Sequence, residues 1–237
     1  MKHTEIELQR LKEEVSRMWK LVMSQLEKAK QAFFSGDIEL ALEVTGREKT
    51  IDAIELKIDN DCENYIALYS PVAVDLRLVL SLIKISITLE RIGDFAEGIA
   101  CHVIEESGHK LDAQLIDDLQ LEKMFDTLIN MLSDSFVALE SENTKISGRI
   151  ISKDYEVDRL YHNSLNVLTT YLLQNSGDIR SGLKTILIIR KLERIGDHCR
   201  NIVEEIVFYV DAKVLKHGGK KKAEAALANS EKNGIFA

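Results

Sequence analysis

Four pairs of carboxylates stand four residues apart in this sequence: Glu48 and Asp52, Glu90 and Asp94, Asp154 and Asp158, Glu193 and Asp197. On a helix, residues at that spacing share a face, so each pair aims two carboxylates the same way. Like charges so placed destabilise a helix by roughly 0.2–0.5 kcal/mol per pair, unless a cation sits among them. Carboxylate oxygens suit hard ions, which points to Mg, Mn, Ca or ferric iron, with iron, manganese or magnesium foremost and several nuclei allowed. Helical bundles hold di-metal centres with carboxylates on facing helices, but they usually add a histidine at Glu-x-x-His spacing. That histidine is missing here, so an all-oxygen site would be open and weakly selective. A single acidic pair is also ordinary on a solvated face, where Arg91 or Arg194 would neutralise its neighbours; repetition is what favours a metal.

The repetition is literal. Leu89-Glu90-Arg91-Ile92-Gly93-Asp94 returns letter for letter as Leu192-Glu193-Arg194-Ile195-Gly196-Asp197, 103 residues later. Asp75 and Arg77 fall on Asp178 and Arg180, Ile83 on Ile186, Ile85 on Ile188 and Ile99 on Ile202. The chain is a tandem duplication. His198 follows the second motif, but Phe95 is its counterpart, so His198 reads as a packing or surface residue and not as a ligand. Gly93 and Gly196 each cost a helix interior about 1 kcal/mol relative to Ala. Their recurrence implies close helix approach or room for a ligand.

The elements that must position these groups are helices. One proline, 12 glycines and 6% aromatic residues in 237 describe an all-α protein. A formal net charge of -8 disfavours nucleic acid or an anionic membrane as a partner. Cys62, Cys101 and Cys199 are odd in number and lack C-x-x-C spacing, and so read as reduced packing residues. The N-terminus is charged where a signal peptide needs an apolar core, and the apolar run Leu76 to Leu89 holds Arg77 and Lys84. A soluble, cytoplasmic protein is expected.

Leu11, Val15, Met18, Val22, Leu26, Ala29 and Phe33 recur at helical spacing, predicting a first helix that ends near Ser35-Gly36, with Trp19 in the core or at a dimer contact. Asp37 is the expected N-cap of a second helix to about Tyr69, and Ser70-Pro71 that of a third, to about Glu106. The second half repeats the plan, with helices near Ala113–Glu140, Ile146–Gln174 and on to about Val210. The reading is two tandem antiparallel three-helix bundles, residues 1–109 and 110–212, with 213–237 a basic, frayed tail. Antiparallel neighbours meet at levels equidistant from their turn. Residues 50 and 92 are equidistant from Pro71, and residues 156 and 195 from Asn175-Ser176. In each half the two acidic pairs are therefore expected side by side.

Ser70-Pro71-Val72-Ala73-Val74-Asp75-Leu76-Arg77 and the two Leu-Glu-Arg-Ile-Gly-Asp motifs, the second followed by His198, resemble the PhoU family of phosphate-uptake regulators. The resemblance runs over roughly residues 5 to 212. It implies two similar three-helix bundles, and it implies that the eight acids occupy the family's E(D)-x-x-x-D metal positions. Gly98, where Asn201 stands in the second copy, and Cys199 depart from the family pattern without touching a carboxylate. The function implied is negative regulation of phosphate uptake and phosphate-starvation signalling, with no catalytic residue. The implied partners are the phosphate ABC transporter ATPase and a phosphate-sensing histidine kinase, so that membrane contact runs through partners only. A homodimer is expected. The alternatives are a metal-dependent phosphohydrolase or a metal-storage bundle. No nucleophile–base pairing, phosphate-cradling glycine loop or histidine-rich cluster supports the enzyme.

Overall fold

The computed structural model describes residues 3–175, 177 and 179–215. It is helical throughout those residues: α1 (His3–Ser35), α2 (Ile38–Gly46), α3 (Glu48–Tyr69), α4 (Ala73–Glu105), α5 (Ala113–Asp118), α6 (Leu121–Glu140), α7 (Ser147–Gln174) and α8 (Ile179–Asp211). The long helices form two tandem three-helix repeats, α1–α3–α4 and α6–α7–α8. Most of the expected tail lies outside the described residues, as do Ser176 and Asp178 of the second-half turn.

Several boundaries differ from the sequence expectation, each for a local reason. The second helix is not continuous, because it breaks after Gly46 and restarts at Glu48. The break puts Glu48 in a first helical turn, where unsatisfied N–H groups favour a carboxylate. Ser70 does not cap α4. It closes α3 in the left-handed conformation at φ 45°, its N–H donating to the Ile66 carbonyl, and α4 starts only at Ala73 after extended Val72. The expected Ala113–Glu140 helix is likewise divided, with left-handed Gln120 between α5 and α6. Asp37 caps α2 as expected, accepting from the Leu40 N–H at 3.0 Å.

The apolar stripe of α1 is buried from Leu11 to Phe33, and Trp19 within it belongs to the core. Its indole donates across the repeats to the Leu132 carbonyl at 3.2 Å and packs on Phe136. The two repeats therefore share one continuous core. Their main seam is the pairing of α4 with α8, which run antiparallel: Arg77 donates to the Tyr209 carbonyl, Ser81 to that of Glu205, Phe95 packs on His198, and Glu106 pairs with Lys184. Cys62 and Cys199 are buried free thiols and Cys101 is half-buried. No described helix is long and apolar enough to cross a membrane.

Gly36 and Gly108, the turn glycines after α1 and α4, press backbone to backbone. Both have positive φ, 71° and 72°. A Cβ on Gly36 would overlap the Gly108 carbonyl oxygen, and one on Gly108 would lie 2.6 Å from that of Gly36. Gly36→Ala or Gly108→Ala should therefore destabilise the fold by about 1–3 kcal/mol. Gly148→Ala, with open space around it and no positive φ, should be neutral or stabilising by up to ~1 kcal/mol. Urea denaturation of the three variants checks the contrast.

Candidate metal sites

In the first repeat, the start of α3 faces the middle of α4. Glu48 is 8% exposed and lies in the seam between them. Gly93 faces this seam: a Cβ there would meet Glu48 Oε2 in ordinary contact at 3.6 Å and press on Ile51 Cδ1 at 3.3 Å. Gln25, wholly buried on α1, donates its Nε2 to Glu48 Oε2 at 3.0 Å. The other oxygen, Oε1, is buried without a hydrogen-bond partner, although the carboxyl lies within hydrogen-bonding reach of Asp94. Burial first, opposed by the Gln25 hydrogen bond and aided by Asp94 and Glu97, pushes the Glu48 carboxyl up to about 7.

The remaining expected acids gather on the same patch. Glu90 on α4 is raised by burial, then by repulsion from Asp94, with Asp52 and Glu55 adding and Arg91 opposing. Glu97, one turn beyond Asp94, is raised by burial, Asp94 and Asp52, against Lys191. Asp52 is exposed and forms the outer edge. Arg91, itself exposed, pairs with Asp94 at 3.1 Å and Glu90 at 3.4 Å.

The second repeat builds the same seam between α7 and α8 with different chemistry. Asp154 is 1% exposed, and a Cβ on Gly196 would come 3.1 Å from its Oδ1. Here a guanidinium, not an amide, meets the buried carboxylate. Arg200 donates from Nη1 to Asp154 Oδ2 and from Nη2 to Asp197 Oδ1 at 2.8 Å. Burial still raises the Asp154 carboxyl to about 6, with Arg200 opposing and Asp158 and Asp197 repelling. Glu193 is raised by burial and Asp197, Arg194 opposing and Asp158 adding.

Each expected acid thus lies in the patch of its own repeat, on two facing helices. Among the described residues, no three His, Cys, Asp or Glu side chains converge tightly enough to close a metal cage. The patches are loose carboxylate surfaces with one buried member each. Three participants were missed in the sequence: Gln25, Glu97 and Arg200. Gln25 had a signal, being a polar residue inside the apolar stripe of α1. Arg200 and Glu97 occupy equivalent positions of the duplication, and their opposite charges were the signal there. His198 is half-buried against Phe95 at 5.6 Å.

With this geometry in place, the comparisons with known proteins are specific. The family model of the PhoU domain matches twice, over residues 15–103 and 121–206. The chain belongs to the PhoU family. The two matched segments contain all eight acids, four in each. The "Phosphate-specific transport system accessory protein PhoU" of Escherichia coli K12 is 33% identical over 225 residues, covering 95% of this chain and 92% of that one. The crystal structure of PhoU from Pseudomonas aeruginosa superposes with a TM-score of 0.83 at 30% identity, covering 88% of this chain and 99% of that chain. The phosphate transport system regulatory protein PhoU from Streptococcus pneumoniae gives 0.80 at 28% identity, covering 90% and 99%.

The raised carboxyls set the pH response of this PhoU chain. Glu48, moved from 4.5 to about 7, and Asp154, from 3.8 to about 6, hold protons in the folded state that the unfolded chain has released. Stability is full below the unfolded values and is lost as pH rises through the folded ones. With chelator present, the chain should melt several degrees higher at about pH 5.5 than at about pH 7.5, at roughly 2–4 °C per kcal/mol for a chain of this size. Glu48→Gln should flatten that difference in thermal melts followed by circular dichroism.

Proposed function

We propose that this chain regulates phosphate uptake and phosphate-starvation signalling as an accessory protein of a phosphate-specific transporter, acting by binding and not by turnover. The observation that carries the reading is the match along nearly the whole chain to PhoU proteins that are named accessory or regulatory proteins of phosphate transport. The partners proposed are the transporter's ATPase and a membrane-bound phosphate-sensing histidine kinase, with the chain acting in the cytoplasm as a homodimer.

The carboxylate patches are proposed to hold hard metal ions, iron, manganese or magnesium. Support comes from the donor set, all oxygen, and from Glu48 Oε1, a buried acceptor without a partner beside a second carboxylate. Ions that keep part of their water shell suit an open patch of this kind. When bound, such an ion would neutralise the clustered charge and leave positions for an oxygen ligand of a partner or for phosphate. The chain's own residues do the rest. Gln25 orients Glu48, and the glycines let the buried carboxyls approach the facing helix.

The enzyme alternative gains nothing from the hydrogen bonds. Ser81, Ser86, Ser135 and Ser164, the buried serines with a described bond, each donate to a backbone carbonyl and not to a base. Cys62 is pushed up to about 12 by burial, and Cys199 is raised further, so neither thiol is an activated nucleophile.

Replacing Glu90, Asp94, Glu193 and Asp197 together by Ala should abolish association with the transporter ATPase and derepress phosphate-starvation genes. Helicity should survive, since the apolar faces are untouched. Pull-down and p-nitrophenyl phosphate hydrolysis, measured on the same preparations with manganese and with chelator, decide the matter. Metal-dependent hydrolysis that disappears in the variant while pull-down is unchanged would overturn the regulator in favour of the enzyme.

A further inference from the structure

The duplication invites the assumption that its two carboxylate patches are equivalent, and the side chains around them are not. At the first, the buried carboxylate is held by a neutral donor, Gln25, and one of its oxygens has no partner. The position that follows Asp94 by three residues is Glu97, which adds negative charge. Arg91, the cation paired with these acids, is exposed on the rim. At the second, the residue three beyond Asp197 is Arg200, whose side chain is only 19% exposed. Its two terminal nitrogens occupy Asp154 Oδ2 and Asp197 Oδ1, oxygens that a metal ion would need from facing helices. Its Nε also approaches Glu204 at 4.0 Å. A cation entering there must displace a guanidinium that already neutralises the buried Asp154 carboxylate and gives it directed hydrogen bonds.

We infer that Arg200 is a built-in counter-ion that closes the second patch to metal, so that this chain loads hard cations at the Glu48–Asp94 patch alone. The inference rests on the metal reading proposed above and narrows it from both patches to the first. The two patches thus differ in kind: at the first, Arg91 and Lys191 meet the outer acids and leave Glu48 Oε1 without a partner, whereas at the second Arg200 grips the buried carboxylate itself.

The test is equilibrium dialysis of the chelator-stripped full chain against Mn2+, with bound manganese measured by elemental analysis. Asp94→Ala should lose the manganese that the wild type holds, and Asp197→Ala should keep it. Arg200→Gln should roughly double bound manganese, because a second set of carboxylates becomes free for a hard cation. The gain should persist in Arg200→Gln/Asp94→Ala and vanish in Arg200→Gln/Asp197→Ala. Equal losses in Asp94→Ala and Asp197→Ala overturn the inference, as does an Arg200→Gln protein that folds and binds no more than the wild type. If Arg200→Gln does not fold, the two single aspartate variants decide it by themselves. A wild type that binds no manganese sinks the metal reading of the first patch, and Arg200 is then judged on the Arg200→Gln gain.

Discussion

A carboxylate pressed into the seam between two helices is the constraint around which each repeat is built. Taking a charge out of water is costly unless it is paired, hydrogen-bonded or neutralised by a proton. Glu48 and Asp154 are in that position, and the surrounding residues answer it in several ways. Gly196 leaves out a Cβ that would press on the Asp154 carboxyl, and Gly93 leaves out one that would press on Ile51 beside Glu48. Hydrogen-bond donors are aimed at it, Gln25 in one case and Arg200 in the other. Burial raises both carboxyls, so the protonated form is within easy reach. The glycines of the repeated motif, unfavourable for a helix in isolation, are explained by this contact.

The same seams connect to the spine of the molecule. α4 and α8 each carry one motif, and they pack antiparallel against one another, with Phe95 on His198 near the level of both glycines. Lys191 of α8 reaches over Gly98 of α4, where a Cβ would overlap its ammonium, and it eases the charge on Glu97. A cation from one repeat therefore serves the acidic patch of the other. Any side chain at Gly98 would have to displace Lys191.

Membership of the PhoU family and the geometry of the patches are separate observations. The chain is similar to phosphate-transport regulators, and each patch combines one buried carboxylate with more exposed ones. Loose carboxylate surfaces suit contacts completed by another molecule.

The sequence by itself determined the all-helical class, the duplication and which four acids would share a patch in each repeat. Those follow from a 3.6-residue period and from a literal repeat, both local properties of the chain. Equal distances from two turns were enough to bring the two acidic pairs of each repeat to one level; that Gly93 and Gly196 face the buried members came from the structure. The breaks at Gly46 and Gln120 and the left-handed Ser70 interrupt stretches whose apolar spacing continues, so the period alone did not mark them. Arg200 marks the limit most clearly. Its pairing with Asp197 is a within-helix spacing readable from the chain, but its grip on Asp154 exists only once α7 lies against α8. Whether a buried carboxylate meets an amide, a guanidinium or an open space is decided by side chains distant in sequence. Only the tertiary structure brings them within the few ångströms over which such charges act.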